Sequence, residues 1–264
     1  MLYLISSGNL RVRQHLRHDH IIEKVMAEGF VTIDDLVTSL NVTPQTIRRD
    51  LNLLADQNRI SRYHGGAGLL ESSTENTAYT NRLKHGSKAK QLIAKRLVDD
   101  IPDGASIFIN IGTTTEAVAR ELLRRKNLSI ITNNLHVAAT LSEREDYRII
   151  LAGGEVRARD GGIIGEATVD LIRQFQADFA IIGVSGIDEN GTLLDFDYRE
   201  VRVSQAIIEN ARQVMLCADK SKFGRNAMVR LGTIAQIDSI YTDVKPSDEF
   251  VTLLNDNGVK LNLP

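Results

Sequence analysis

The sequence predicts an α/β chain of two modules, a small helical one closed by a hairpin and a larger one of alternating strand and helix. Three observations predict it. Apolar residues recur at helical spacing as far as Gln57 and then give way to a segment with Gly65 and Gly66 at its tip. The stretch ESSTENTAYTN, residues 71–81, is polar and rich in Ser, Thr and Asn, too poor in apolar surface to join a core. Beyond it, short apolar runs alternate with amphipathic stretches, the pattern of parallel strands joined by crossover helices. The expected organisation is an extension over 1–16, the first module over 17–70, a linker over 71–85 and the α/β domain over 86–264.

The first module reads element by element. Ile21, Ile22, Val25 and Met26 recur at helical spacing, and Gly29 ends the run. Thr32 caps a second, short helix with Ile33, Leu36, Val37 and Leu40 inward. Asn41 tolerates the left-handed backbone that a tight turn needs. Thr43 is a good N-cap and Pro44 suits the first helical position of a third helix reaching Gln57. RISRYHGGAGL then reads as a short hairpin. Helix, helix, turn, helix, hairpin is the order of a winged helix-turn-helix.

At 3.6 residues per turn the third helix puts Ile47, Leu51 and Leu54 on one arc and Gln45, Arg48, Arg49 and Asn52 on the opposite one. A solvated face normally mixes acids with bases; this one holds two arginines and two amides with no carboxylate. Arg reads guanine, Gln and Asn read adenine, and all three bind phosphate. With Thr43 and Thr46 at the polar start of the helix, and Arg62 and His64 on the hairpin, the face is a candidate DNA-reading surface. A plain solvated helix face is the alternative that an Arg-Arg pair alone would favour. Asp50 borders the core arc, where it orients an arginine or a backbone amide rather than touching phosphates that would repel it.

In the second module, strands are expected at SIFINI, LSIITN, YRIILAG, DFAIIGVSG and QVMLCAD, and helices at TTEAVARELLRR and NLHVAATLSE. Near-continuous apolar strands fit a sheet covered on both faces.

Composition bounds the rest. The chain has 264 residues, 42% of them hydrophobic and 25% charged, enough to bury a core. No apolar run approaches the roughly 20 residues that span a bilayer, and the first residues lack a signal-peptide pattern, so a cytoplasmic, membrane-free protein is expected. Cys217 is the single cysteine, and no metal site is expected. Net charge is −2; residues 1–70 carry eight Lys and Arg against seven Asp and Glu. Any DNA contact must therefore come from local placement of charge.

TIRRDL followed by RYHGGA resembles the DeoR family of bacterial transcriptional regulators. The resemblance continues through IGTTTEAVA, TNN, LAGGEVR, GIIGEAT and ADKSKFGR, from about Arg17 to the C-terminus. It implies a winged-helix DNA-binding domain fused to a sugar-isomerase-like sensor domain, and a repressor released from operator DNA by a phosphorylated metabolite. RDGGIIGEAT, LLDFDYREVR, AIIENAR and SKFGRNAMV resemble one branch of the family, and imply glycerol metabolism genes as targets with glycerol 3-phosphate as the favoured effector. Family members often carry Asp where this chain has Asn110.

Ligands of open α/β sheets bind beyond the carboxyl ends of strands, near helix N-termini. Gly112 with Thr113, Thr114 and Thr115 follows a strand and opens a helix, where amides and hydroxyls can hold phosphate. One threonine suffices for capping, so three favour a phosphate cradle. Asn133, in TNN, suits hydroxyl binding and turn chemistry equally. Gly153, Gly154 and Arg157 offer close backbone approach plus a cation, although glycine pairs also make plain turns. Lys220, in ADKSKFG, is an exposed loop lysine on position alone; position and resemblance together give it a phosphate. Asp197 and Glu200, with Asp195, are either acceptors for ligand hydroxyls or a solvated acidic loop. His136 is expected on a helix surface.

Three functions compete. A ligand-controlled repressor uses both modules; an alternative repressor answers a different sugar phosphate. A sugar-phosphate isomerase with an added DNA-binding domain needs proton-moving carboxylates in fixed geometry, and no catalytic residue, cofactor or metal is assigned. A DNA-binding protein whose second module only oligomerises leaves the threonine loop without a purpose. Half-site reading by such domains usually requires a dimer or larger homo-oligomer.

Overall fold

Contacts divide the chain between Thr77 and Ala78 into two units. The computed structural model describes residues 14–25, 30–57, 59–63, 65–68, 79–84 and 86–264.

In the first unit, helix α1 spans 14–25, reaching three residues into the segment read as an extension. Strand β1 (Phe30–Thr32) leads into α2 (Ile33–Leu40), and α3 (Pro44–Asp56) follows a three-residue turn. Thr32 caps α2 in a reciprocal capping box with Asp35. Asn41 takes the left-handed conformation at φ 50°, and Thr43 caps α3 through Thr46 N. Strands β2 (Ser61–Tyr63) and β3 (Gly66–Gly68) pair antiparallel, and β1 adds to β3, so the hairpin is one part of a three-stranded sheet. Ile21, Val25, Leu36, Ile47, Leu51, Leu54 and Ile60 form the core. The helical periods meet there, which is why two short helices and a marginal hairpin hold together.

The second unit begins with α4 (Tyr79–Lys84) and α5 (Ser87–Asp99). Helix α4 lies inside the segment expected as linker. Its sequence, YTNRLK, lacks an apolar stripe; tertiary contacts described below hold it. Strands β4 (Ser106–Ile109), β5 (Ser129–Thr132), β6 (Arg148–Leu151), β9 (Ala177–Ile182) and β12 (Ala211–Cys217) are the five expected from sequence. With β14 (Ser239–Tyr241) and β15 (Lys260–Asn262) they form a seven-stranded parallel sheet in the order β15-β14-β12-β9-β4-β5-β6. Helix α6 (Thr113–Leu122) follows β4, α7 (Leu135–Leu141) follows β5, α8 (Glu166–Ile172) precedes β9 and α9 (Tyr198–Glu209) precedes β12. Two antiparallel additions, β7–β8 (Glu155–Arg157, Gly162–Ile164) and β10–β11–β13 (Gly186–Ile187, Thr192–Asp195, Val229–Thr233), sit outside that sheet.

Alternate side chains of one strand enter different cores. Ile107, Ile109, Ile181, Met215 and Cys217 pack with α5, α6 and α7. Phe108, Ala180, Ile182, Val214 and Leu216 pack with α9 and its neighbours. Burial on both faces is what makes these strands read as unbroken apolar runs. The chain order runs outward from β4 through β5 and β6, then restarts at β9 on the other side of β4. The switch point of the sheet therefore lies between β4 and β9, and the loops leaving their carboxyl ends border the crevice.

Candidate functional site

In the first unit, Gln45, Arg48, Arg49 and Asn52 are exposed on α3, while Ile47, Leu51 and Leu54 are buried. Arg48 and Arg49 make no hydrogen bond or ion pair with described residues. Thr43 and Thr46 bond to one another across the first turn at 2.9 Å. Arg62 departs from the expected free wing cation. Its Nε donates to Asn52 Oδ1 at 3.2 Å and its Nη1 to the Gly66 carbonyl at 2.5 Å. Burial first, and the nearby Arg48 charge second, pull the Arg62 pKa down. Asn52 thus anchors the hairpin to α3. His64 lies outside the described residues.

Asp50, 1% exposed, is the one carboxylate on the inner flank of α3. It accepts from Arg17 Nε and Nη2 at 2.5 and 3.0 Å and contacts His18 Nε2 at 3.0 Å. Burial alone would raise the carboxyl; the bonds from Arg17 and His18 outweigh it and hold Asp50 below the usual carboxylate range. The arginine it orients comes from α1, far away in sequence.

In the second unit, the crevice loops are tied together before any ligand is considered. Asn110 is 1% exposed. Its Nδ2 donates to the Gly183 carbonyl at 3.1 Å and to Ser204 Oγ at 3.2 Å, and its Oδ1 accepts from Gly183 N at 2.9 Å. The amide bridges the ends of β4 and β9 across the switch point. An aspartate there has no proton to donate to Gly183 O, so this chain's Asn110 fits its own backbone.

Thr113, Thr114 and Thr115 open α6 with Gly112 as the cap, and no side chain caps the helix. Thr115 differs from the other two. Its one hydroxyl proton is shared by the carbonyls of Asn110 and Gly112, at 2.9 and 2.8 Å, so it is not a donor for phosphate. The hydroxyls of Thr113 and Thr114 bond to no described residue.

Asn133 is 1% exposed and donates to the Ile163 carbonyl at 2.9 Å; its Oδ1 has no partner. Gly153 and Gly154 act in packing. Gly153 O accepts from Thr168 Oγ1 at 2.8 Å. A Cβ on Gly154, whose φ is +151°, would stand 2.7 Å from the Ile164 carbonyl and closer still to Thr168 Oγ1. Only glycine fits there.

Arg157 is not an open cation. It is bidentate to Asp160 at 2.8 and 2.9 Å, reaches Asp197 at 2.7 Å and Glu200 at 2.6 Å, and its side chain is 10% exposed. Its three carboxylate partners hold the guanidinium protonated against its own burial. Asp197 also caps α9. Burial first, then Asp195, push Glu200 up to about 8, with Arg157 opposing. Asp195, buried, accepts from Ser185 Oγ and Phe196 N, and burial raises it too. The acidic element is neither solvated nor open; it is knitted to Arg157.

The two lysines of ADKSKFG differ in exposure. Lys220 is exposed, and its backbone N–H donates to Asp243 Oδ1 at 2.8 Å. Lys222, two residues on, is partly buried. Burial first, then Arg225, pull its ammonium down to about 8, with Lys90 and Arg82 adding to the fall and Asp219 opposing. Lys90 is itself 6% exposed and lowered by burial. Arg82, Lys90, Lys222 and Arg225 are thus a cluster of cations, each near enough to act on Lys222. Of these, the sequence pointed only to Lys222, which follows an apolar strand in ADKSKFG beside Lys220.

His136 is exposed on α7, as expected, and its ring stacks on Tyr79 at 5.3 Å. Among the described residues no group of His, Cys, Asp and Glu could hold a metal, and no helix is long and apolar enough to cross a membrane.

Residues 17–73 match the DeoR-like helix-turn-helix domain and residues 85–244 the DeoR C-terminal sensor domain. Over 252 residues the chain is 55% identical to the glycerol-3-phosphate regulon repressor of Escherichia coli (strain K12), covering 96% of this chain and 100% of that one. It is 49% identical to the protein of the same name from Haemophilus influenzae, over 96% of this chain and 98% of the relative. A solved D-ribose-5-phosphate isomerase in complex with phospho-erythronic acid overlays with a TM-score of 0.37 and 17% identity, over 52% of this chain and 54% of that chain. That last likeness is too slight to bear on function.

Proposed function

The chain belongs to the DeoR family, and from that premise we propose that it represses genes of glycerol 3-phosphate metabolism and leaves its operator when glycerol 3-phosphate binds the second unit. The relatives' name supports the ligand. The observation that carries the effector site is the pair of hydroxyls at the sheet's switch point that bond to no described residue. The hydroxyls of Thr113 and Thr114 stand at the uncapped start of α6, and the cations around Lys222 lie on the same unit. Amides at a helix N-terminus, hydroxyl donors and a lysine are the usual composition of a phosphate site.

Arg48 and Arg49, exposed and unpaired, are the operator contacts in this reading, with Gln45 beside them. Thr43, Thr46, Asn52 and Arg62 hold helix and hairpin in shape. The effector contacts are Thr113, Thr114 and Lys222, with Asn133 Oδ1 an acceptor for a ligand hydroxyl. Gly112, Thr115, Gly153, Gly154, Arg157, Asp197 and Glu200 shape the crevice. The isomerase reading is the weaker one. It needs carboxylates free to move protons, and Asp197 and Glu200 are bound to a buried arginine.

The test is operator binding by fluorescence anisotropy with and without glycerol 3-phosphate. Saturating ligand should weaken operator binding, and Thr114→Val should blunt that response. An operator affinity unchanged by the ligand in the wild type overturns the assignment.

A further inference from the structure

We propose that Tyr79 couples the effector crevice to the chain segment joining the two units, by holding Glu116 through its hydroxyl. This rests on the reading of the crevice as an effector site.

Tyr79 is the second residue of the second unit, on α4. Its hydroxyl donates to Glu116 Oε2 at 2.8 Å, and its ring stacks on His136 with an interplanar angle of 10°. Glu116 is 3% exposed in the first turn of α6, directly after the three threonines. Its other oxygen accepts from Nδ2 of Asn134, the N-cap of α7, at 3.4 Å. One phenol therefore bears on the first turns of the helices that follow the neighbouring strands β4 and β5. Arg82, one turn further along α4, bonds to Asp160 Oδ2 at 3.3 Å and lies 5.9 Å over the Tyr79 ring. The Lys90 ammonium donates to the Arg82 carbonyl. These contacts of α4 reach crevice residues, and the chain before α4 leads to the DNA-binding unit.

A phosphate dianion at the start of α6 would stand beside the Glu116 carboxylate. Two like charges at a partly buried site repel, and the mobile partner is the side chain. Tyr79 and Asn134 are the donors that fix that side chain. A ligand shifts an equilibrium only by the difference in its affinity for two states. A state that keeps the Tyr79–Glu116 bond and a state that releases it would differ in affinity for a phosphate beside Glu116.

The experiment uses the full chain. Operator affinity is measured with and without glycerol 3-phosphate for wild type, Tyr79→Phe and Glu116→Gln, and ligand binding is measured by calorimetry. Tyr79→Phe keeps the ring and its stack on His136 and removes only the hydroxyl. It should still bind operator and ligand, while the ratio of operator dissociation constants with and without ligand falls at least about fivefold. Glu116→Gln keeps size, offers one acceptor oxygen in place of the two that Tyr79 and Asn134 use, removes the repulsion, and should bind ligand more tightly with the same loss of coupling. A wild type that ignores the ligand overturns the functional reading and this proposal with it. A wild type that responds while both variants respond equally overturns this proposal alone.

Discussion

The Asp50 carboxylate and the Arg17 guanidinium form a two-pronged pair, at 2.5 and 3.0 Å, between the inner flank of α3 and helix α1. Arg48 and Arg49, its sequence neighbours, point to solvent on the outer face. One turn of helix thus carries the group that fixes the helix and the groups it presents.

Asp50→Ala should destabilise the first unit by about 1–3 kcal/mol, because it leaves the partly buried Arg17 and the buried His18 without their shared acceptor. Denaturant unfolding followed by hydrogen exchange in α1 and α3 measures it. The pH dependence follows from the lowered carboxyl. A depressed acid contributes stability above its unfolded value, near 4 for Asp, and loses it as pH falls through the lower folded value. Wild type should show that acid-side loss in the first unit, and Asp50→Asn should lack it.

Arg48→Ala and Arg49→Ala should leave the fold intact, since both side chains are exposed. A base-reading arginine should cost about 1–3 kcal/mol of operator binding and relax specificity at one position. A phosphate-binding one should weaken binding to all sequences and reduce the salt slope by about one. Anisotropy titrations at several salt concentrations, on operator and on unrelated DNA, separate the two. Unchanged affinity in both variants removes α3 as the reading helix.

Lys222→Met should lower glycerol 3-phosphate affinity about tenfold or more, the scale of one charge-assisted hydrogen bond. Lys220→Met should change it by less than about twofold, given its exposure. Calorimetric titration of the two variants ranks the lysines directly, and the reverse order would return the phosphate to Lys220.

Glu200 gives the opposite pH sign. Its folded value, about 8, lies above its unfolded one. An acid raised by folding contributes stability when both states are protonated, below about pH 4, and that contribution declines as pH rises to the folded value. The melting temperature of the second unit should therefore fall between about pH 5 and pH 8. Glu200→Gln should flatten that slope; an unchanged slope would place the titration elsewhere.

Much of the fold was legible in the sequence because its cause is local. Helical spacing in α3, the caps Thr32 and Thr43, the left-handed Asn41 and five apolar strands follow from periods and propensities a few residues long. So did the exposed face of Arg48 and Arg49, since a helix fixes which side chains lie opposite its core. Strands β14 and β15 were missed, being only three residues each, and helix α4 was missed because it has no apolar stripe of its own.

Which candidate site residues are paired and which are not was decided by tertiary structure. Arg157 was visible as a cation, but two of its three partners, Asp197 and Glu200, lie 40 and 43 residues later. Thr115 was one of three equivalent hydroxyls until the turn before α6 brought two carbonyls to it. Lys220 and Lys222 stand on one short 3-10 turn after β12, and packing around Asp219, Lys90 and Arg225 decides which ammonium is drawn inward. The sequence by itself determined the elements and the chemistry available at their ends. Which of those groups remain free was decided only by the fold, because a charge is satisfied by whatever lies near it in space, and a local period carries no information about that distance.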